Sequence, residues 1–230
     1  MSRFMSFLQD VKGKLIVSCQ ALPDEPLHSS FIMGRMALAA KEGGAAAIRA
    51  QSSADIMEIR KVTGLPVIGL VKRNYEDSPI YITPTLKEVE ELLATECEMI
   101  ALDMTGRERP GKEKAEELVA RIHEAGRLVL ADISTYEEGM AAADMGVDAV
   151  STTLSGYTPY SPQLIGPDVE LVKRLSKDLQ IPLFAEGRIN VPENIKEVMA
   201  AGAYAPIVGS AITRPQLITA KFAKILEGNS

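Results

Sequence analysis

The chain has 230 residues, of which 46% are hydrophobic, so it can bury a full core as one α/β barrel or as two small domains. Its formal net charge of −6 and its sequence pI of about 5.1 argue against a nucleic-acid surface and against an anionic membrane partner. Aromatic residues make up 5% and Trp is absent, so stacking platforms for bases or sugar rings are scarce.

The cysteine content favours a reducing compartment, and the apolar runs are too short to predict a membrane span. Cys19 and Cys97 form no zinc or CxxC spacing. A disulfide is formally possible, but two buried free thiols are the better prediction. No apolar run approaches the ~20 residues of a spanning helix. Residues 1–14 lack the ordered regions of a signal peptide. We therefore expect a cytoplasmic protein.

Short apolar runs of strand length alternate with segments of helical period along the chain. The predicted strands cover residues 15–20, 45–48, 66–71, 99–102, 128–131, 149–154, 182–185 and a run from 205 that ends on Gly209 and Ser210. The predicted helices cover 31–42, 53–63, 85–95, 112–124, 135–144, 168–179, 192–201 and 215–227. The loop over residues 73–84 exceeds the usual ~2–6 residues of a βα connection, which makes it a candidate functional loop.

Eight strand–helix units with near-continuous apolar strands indicate an all-parallel sheet covered by helices. The count favours a closed (β/α)₈ TIM barrel of the phosphate-binding type over an open doubly wound sheet, with residues 1–230 forming one domain. Neither GxGxxG nor GxxxxGK[ST] occurs, so dinucleotide and P-loop sites lose their main support.

Polar residues or glycines close every predicted strand. In chain order they are Gln20, Arg49, Lys72, Asp103, Asp132, Thr153 or Ser155, Glu186 and Gly209 with Ser210. A single polar residue at a strand end is often only a boundary. Eight in a row predict an active site, because the carboxyl ends of barrel strands gather on one face, where active sites of this fold lie.

Lys72 and Glu186 are the candidate acid/base pair. Arg49 ends the neighbouring predicted strand, so its charge and partial burial would lower the pKa of Lys72 from ~10.4. The alternative for Lys72 is a structural salt bridge to Glu186 or Asp132. Repulsion from Asp132 would raise the pKa of Glu186 and suit it to carrying a proton. Asp132 itself could bind a hydroxyl or cap a helix, and Asp103 is expected to be structural.

Two Gly-containing turns, at Gly187 and at Gly209 with Ser210, predict a phosphate site, because a phosphate needs unblocked N–H groups at a helix start. Arg188 and Arg214 flank these turns and could reach a phosphate bidentately. His28 and His123 have no partner at metal-ligand spacing, so no metal is predicted.

Several longer motifs resemble bacterial N-acetylmannosamine-6-phosphate 2-epimerases from about Leu15 to the C-terminal helix. They include Ile16-Val-Ser-Cys-Gln-Ala-Leu22, Val71-Lys-Arg73, Ile82-Thr-Pro84, Ile100-Ala-Leu-Asp103, Thr152-Thr-Leu-Ser-Gly-Tyr-Thr158, Ala185-Glu-Gly187 and Val208-Gly-Ser-Ala-Ile-Thr-Arg214. Members of this family are phosphate-binding barrels of sialic acid breakdown. They interconvert N-acetylmannosamine 6-phosphate and N-acetylglucosamine 6-phosphate without a redox cofactor.

The resemblance implies a role for each candidate. Lys72 would be the acid/base at C2 and Glu186 its carboxylate partner. The implied substrate-binding residues are Gln20, Arg49, Asp132, Thr153, Gly187, Arg188, Gly209, Ser210 and Arg214. One departure is Asn74, which stands where the family commonly has Asp; it bears on the role of its loop and not on the chemistry at Lys72.

Two other functions fit the same residues. A strand-end lysine beside a phosphate site also suits a Schiff-base aldolase, and a sugar-phosphate sensor would bind without turnover. We expect a small-molecule sugar phosphate as ligand and a homodimer as the assembly. The apolar C-terminal helix could pack on its own barrel or on a neighbour's.

Overall fold

The computed structural model describes residues 3–227, with side chains from 6 to 226, and its centre is a sheet of eight strands. The strands are β1 (Ile16–Cys19), β2 (Ala47–Gln51), β3 (Val67–Leu70), β4 (Met99–Asp103), β5 (Leu128–Asp132), β6 (Ala149–Ser151), β7 (Leu183–Glu186) and β8 (Ala205–Val208). Each strand pairs in parallel with the next, and β8 returns to β1 with Ile207 opposite Ile16. The sheet is therefore a closed barrel, which confirms the predicted TIM barrel.

Helices cover the outside of the barrel. They are α1 (Arg3–Val11), α2 (Ser30–Glu42), α3 (Ser53–Thr63), α4 (Leu86–Leu93), α5 (Ala115–Glu124), α6 (Tyr136–Asp144), α7 (Val169–Asp178), α8 (Pro192–Ala200), α9 (Ser210–Thr213) and α10 (Pro215–Glu227). Thr85 and Thr135 form capping boxes with the glutamates three residues on, which fixes where α4 and α6 begin. Gly64 ends α3 in the left-handed conformation that glycine adopts without strain.

Alternation along each strand separates two apolar clusters. On β5, Leu128 and Leu130 belong to the cluster inside the barrel, whereas Val129 and Ala131 pack against the helices. Successive side chains on a strand point to opposite faces. Asp132 therefore shares the inward face with Leu128 and Leu130, and the same spacing places Arg49 with Ala47 and Glu186 with Phe184.

Several predicted boundaries differ from the structure. The second strand runs from Ala47 to Gln51, so Arg49 lies in its middle and not at its end. The helix predicted from residue 112 begins at Ala115, because Gly111 and Lys112 have positive φ values of 60° and 58°. The predicted 149–154 strand ends at Ser151, and the helix predicted to reach residue 95 ends at Leu93.

The N-terminal helix α1 was not predicted. Phe7 and Val11 on this helix join the apolar cluster inside the barrel, and the Tyr204 hydroxyl donates to the Leu8 carbonyl at 2.9 Å. Cys19 and Cys97 are free and buried, as predicted. Among the described residues, no helix has the length and apolar character needed to cross a membrane. The predicted domain 1–230 includes five terminal residues that lie outside the described range.

Candidate active site

A cavity of about 790 Å³ opens among the loops that follow the strands. Ten of the eleven predicted site residues line it: Gln20, Arg49, Lys72, Thr153, Glu186, Gly187, Arg188, Gly209, Ser210 and Arg214. They come from six of the eight strands or the loops after them, so barrel closure brings them together. Asp132, the eleventh, does not line the cavity.

Arg49 is the centre of a buried ionic cluster. Its side chain is 1% exposed and donates to both carboxylate oxygens of Asp132, at 2.9 and 2.5 Å, and to Glu186 Oε2 at 2.7 Å. Burial alone would lower the pKa of Arg49, but the two carboxylates outweigh burial and the pKa is raised. The guanidinium is therefore a fixed positive charge in the cavity wall.

Glu186 is the last residue of β7, and one of its carboxylate oxygens is hydrogen-bonded within the chain. Its Oε2 accepts from Arg49 and lies 3.0 Å from the Thr153 hydroxyl, and its backbone N–H and C=O bond the Thr152 hydroxyl at 3.1 and 3.0 Å. Burial raises the pKa of Glu186 and Asp132 raises it further, against the opposing charges of Arg49 and Lys72. The direction is the one predicted, although burial is the larger cause. A carboxyl with a raised pKa suits proton transfer.

Lys72 presents its amine to the cavity without an ion-pair partner. No carboxylate in the described part of the chain lies within salt-bridge distance of it, and Asp132 and Glu186 are instead paired with Arg49. The predicted alternative, a structural salt bridge, is therefore not formed. Burial, with smaller contributions from Arg49 and Arg214, lowers the pKa of Lys72 to about 8, which confirms the predicted direction.

Lys72 is held in place by its backbone. It forms an antiparallel bridge with Ile82 in the loop between β3 and α4, and the Thr83 N–H donates to the Val71 carbonyl at 2.7 Å. The loop that sequence length singled out thus folds back along the residues around Lys72. This pairing fixes where the amine enters the cavity.

The two glycine turns lie on one side of the cavity. Gly187 has φ +100°, a backbone angle that residues with a side chain rarely adopt. At Gly209, an added Cβ would lie 3.4 Å from the Cβ of Ser18. The Gly209 carbonyl accepts from Ile212 and Thr213 as α9 begins. The N–H groups of Ser210 and Ala211 open this helix, where backbone donors have no intrahelical acceptor. The turns therefore offer bare donors to an anion.

Arg188 crosses the turn after β6. Its Nε donates to the Gly166 carbonyl at 2.9 Å and its Nη1 to the Ser155 carbonyl at 2.5 Å. A Cβ on Gly156 would lie 1.8 Å from Nη1, so only glycine leaves room for this side chain. Arg188 lines the cavity with its position fixed by two carbonyls, and its Nη2 makes no hydrogen bond to the described residues.

Arg214 is engaged by Glu25. Its Nε and Nη2 lie 2.9 and 3.0 Å from the two Glu25 oxygens, and Nη1 lies 3.5 Å from the Ser210 hydroxyl. The bidentate fork predicted for a phosphate is therefore used within the chain. Arg214 faces the cavity mainly as a charge beside Ser210.

The remaining predicted residues divide between wall and support. Gln20 donates to the Ser18 hydroxyl at 2.8 Å, and its buried Oε1 has no partner among the described residues. Thr153 lies between the carboxylates of Asp132 (2.7 Å) and Glu186 (3.0 Å). Asp103 is fully buried, accepts from Thr105 and pairs with Arg107 at 2.6 Å, which fits its predicted structural role.

Sequence reasoning missed several lining residues. They include Ser18, Leu22, Tyr81, Tyr157, Ile189 and Asn190. Most lie within two residues of a predicted site position, a proximity that could have suggested them. Tyr81 carries no such signal, because it lies nine residues after Lys72 and reaches the cavity only through the folded loop. His28 and His123 do not line the cavity, and the described residues hold no cluster of three or more candidate metal ligands.

Comparisons with known proteins identify the family of this chain. A protein from Clostridioides difficile (strain 630) named "Putative N-acetylmannosamine-6-phosphate 2-epimerase" is 65% identical over 96% of this chain and 100% of its own. The solved structure of the N-acetylmannosamine-6-phosphate 2-epimerase from Clostridium perfringens superposes with a TM-score of 0.94 at 64% identity, over 95% of each chain. A thiamine phosphate pyrophosphorylase from Pyrococcus furiosus, 21% identical over 89% of each chain with a TM-score of 0.60, shares the fold alone.

The family model described as "NanE: Putative N-acetylmannosamine-6-phosphate epimerase" matches residues 33–228. This match covers most of the barrel and every cavity-lining residue from Arg49 to Arg214. The chain belongs to the NanE family of N-acetylmannosamine-6-phosphate epimerases.

Proposed function

We propose that this chain interconverts N-acetylmannosamine 6-phosphate and N-acetylglucosamine 6-phosphate by removing and returning the proton at C2. The observation that carries the proposal is the unpaired Lys72 amine, with its lowered pKa, in one cavity with Glu186 and two anion-binding turns. Family membership supports the same reaction.

Lys72 is the base in this mechanism. The C2 proton is acidic only when C1 is a carbonyl, so the pyranose must open first. A lysine with a pKa near 8 is partly neutral at physiological pH and can accept a proton, whereas an unperturbed lysine near ~10.4 rarely can. Return of a proton to the opposite face of C2 then inverts the centre.

Arg49 and Gln20 stabilise the enediolate oxygen, and Glu186 carries the proton on O1. Fixed donors aimed at developing charge are a large catalytic contribution. Arg49 is such a donor, because Asp132 holds both of its Nη atoms in a buried site. Asp132 itself acts through Arg49, since it is fully buried and does not line the cavity.

The phosphate lies against Gly187, Gly209 and Ser210, with Arg188 and Arg214 supplying positive charge. Bare N–H groups at the two turns bind the anion without a bulky side chain in the way. Binding energy from this remote group orients C2 against Lys72. The reaction leaves the overall oxidation state of the sugar unchanged, so it requires no redox cofactor.

Proton NMR of N-acetylmannosamine 6-phosphate in D₂O tests the proposal. We expect deuterium at C2 and appearance of the second epimer. Lys72→Met should lower turnover by about 10²–10⁴-fold with the fold intact, and Lys177→Met, on the outer helix α7, is the matched control. A borohydride-trapped adduct on Lys72 would instead indicate an aldolase, and binding without change at C2 would indicate a sensor.

We also propose that the chain works in the cytoplasm as one catalytic domain and a homodimer. Two buried free thiols fit a reducing compartment. The outer face of α10 supports the dimer, because Phe222, Ile225 and Leu226 are each at least 72% exposed. Three large apolar side chains on one helix form a patch that a second copy would cover.

A further inference from the structure

Tyr81, in the cavity wall, differs from most other tyrosines of the chain in the hydrogen bonding of its hydroxyl. The chain has six tyrosines, and four of their hydroxyls donate to protein acceptors at 2.7–2.9 Å: those of Tyr75, Tyr136, Tyr160 and Tyr204. Tyr157 has no such partner among the described residues, but it is 56% exposed at the mouth, where water can serve. Tyr81 also makes no hydrogen bond within that range, although it is half-buried in the cavity wall.

The backbone holds Tyr81 beside Lys72. The Arg73 N–H donates to the Tyr81 carbonyl at 3.0 Å, and the next residue, Ile82, forms the bridge with Lys72. The Tyr81 ring packs against the apolar cluster inside the barrel. Ring and backbone are therefore fixed at both ends, and only the hydroxyl remains without a partner.

Tyr81 lines the same cavity as Arg49 and feels the charges of Asp132, Asp103, Arg107 and Arg49. Burial raises the pKa of Tyr81, as do Asp132 and Asp103, whereas Arg107 and Arg49 lower it, and the net direction is up. The phenol is therefore a neutral donor at physiological pH. A buried Tyr O–H normally finds an acceptor, and a cavity that holds a sugar can provide one.

We propose that Tyr81 is a further catalytic residue, whose hydroxyl donates a hydrogen bond to the substrate oxygen that Arg49 also faces. This inference rests on the proposed epimerase function and adds a neutral donor to the charged one. In the open-chain sugar that oxygen gains negative charge as the C2 proton leaves. A donor fixed beside it stabilises the transition state more than the ground state.

A purely structural role predicts a different outcome. Because the Tyr81 hydroxyl bonds no described protein group, Tyr81→Phe removes no intramolecular hydrogen bond and keeps the packed ring. A structural residue would then show unchanged kcat and unchanged stability. The catalytic role predicts lost turnover with unchanged stability, so the two roles separate cleanly.

The test compares wild type, Tyr81→Phe and Tyr75→Phe. Tyr75 lies on the same loop, but its hydroxyl donates to Glu88 at 2.9 Å and it does not line the cavity. We expect Tyr81→Phe to lower kcat by roughly 10²-fold, with KM little changed and Tm that of wild type. We expect Tyr75→Phe to lower Tm while retaining most of the kcat.

C2 deuterium exchange in D₂O, the rate of epimer formation and Tm are measured on the three proteins. Wild-type kcat in Tyr81→Phe would overturn the inference, as would a loss of activity that follows a matching fall in Tm. Failure of the wild type to exchange C2 would overturn the proposed function, and this inference with it. An active wild type beside an unimpaired Tyr81→Phe would overturn the inference alone.

Discussion

In the proposed mechanism Lys72 sets the pH at which activity appears, because the base must be unprotonated to accept the C2 proton. Burial, Arg49 and Arg214 together lower its pKa to about 8. We therefore predict that kcat/KM rises with pH along a limb centred near 8, since kcat/KM reports ionisations of the free enzyme. Measurement of kcat/KM between acidic and alkaline pH checks this limb.

Arg214→Gln should move that limb to higher pH. The substitution removes a positive charge that lowers the pKa of Lys72, and it frees Glu25, whose charge raises the pKa. Both changes act in the same direction. Arg174→Gln, an exposed arginine on α7, is the control and should leave the limb in place. A limb at the wild-type pH in Arg214→Gln would contradict the electrostatic account of Lys72.

Asp132 orients Arg49, so Asp132→Asn should reduce both activity and stability. Both side chains are buried, with exposures of 1% for Arg49 and 0% for Asp132. Removing one member of a buried ion pair typically costs about 3–5 kcal/mol. Urea unfolding measures the loss. Glu90→Gln makes the same change in an exposed pair with Arg121 and should cost less than about 1 kcal/mol. Equal losses in the two variants would show that Asp132 has no special role.

The sequence predicted which residues gather at the cavity but not what each one contacts. Lys72 and Glu186 were found because strand ends converge in a barrel. The partners of Arg188 and Arg214 lie in distant segments, at Gly166 and Glu25, so only the folded chain shows that their donors are already engaged. The sequence also does not show how deeply each side chain is buried. Asp132 ends its strand as Glu186 does, yet Arg49 separates Asp132 from the cavity.

At the scale of elements, the loop between β3 and α4 is fastened to the loop that follows β4. Asp77 accepts from the Gly111 N–H at 2.9 Å, and the Ser78 hydroxyl donates to the Glu108 carbonyl at 2.6 Å. Arg109 is 5% exposed and donates to the carbonyls of Thr83, Pro84 and Asp103. These contacts hold the segment that pairs with Lys72.

Arg109→Met should therefore destabilise the protein and impair catalysis. Three buried carbonyls would lose a charged donor, and each lost bond of this kind is worth about 1.5–3 kcal/mol. Even one such bond, at about 3 kcal/mol, lowers Tm by roughly 6–12 °C in a chain of this size when it is lost. Thermal unfolding measures the shift. Arg121→Met, at an exposed pair, is the control, and similar Tm values for the two variants would show that Arg109 does not hold the two loops together.

Helix boundaries were predictable where a local signal exists, as at the Thr85 and Thr135 caps and the Gly64 stop. Strand ends were less predictable, because barrel strands are buried on both faces and their apolar runs carry no periodic limit. The second strand is fixed instead by register, with Arg49 opposite Ser18 on one side and Ile68 on the other. No short-range pattern in the chain encodes that register.

At the scale of the whole molecule, α10 links the proposed dimer face to the candidate site. Its apolar residues Phe222, Ile225 and Leu226 are at least 72% exposed, so they do not pack on their own barrel. The helix follows directly on α9, and Gly209, Ser210 and Arg214 before it line the cavity. Packing of α10 against a second copy would therefore also stabilise the Gly209–Ser210 turn, where the phosphate is proposed to bind.

Phe222→Glu combined with Leu226→Glu should produce a monomer with weakened substrate binding. Light scattering should give twice the 24.8 kDa chain mass for wild type and the single mass for the double variant. KM should rise in the variant while C2 exchange persists, because Lys72 follows β3 and Glu186 ends β7, both away from α10 in the chain. Phe31→Glu changes an equally apolar residue, 61% exposed on α2, and should leave the dimer intact. A wild-type monomer, or a double variant that still dimerises, would show that this face is not the interface.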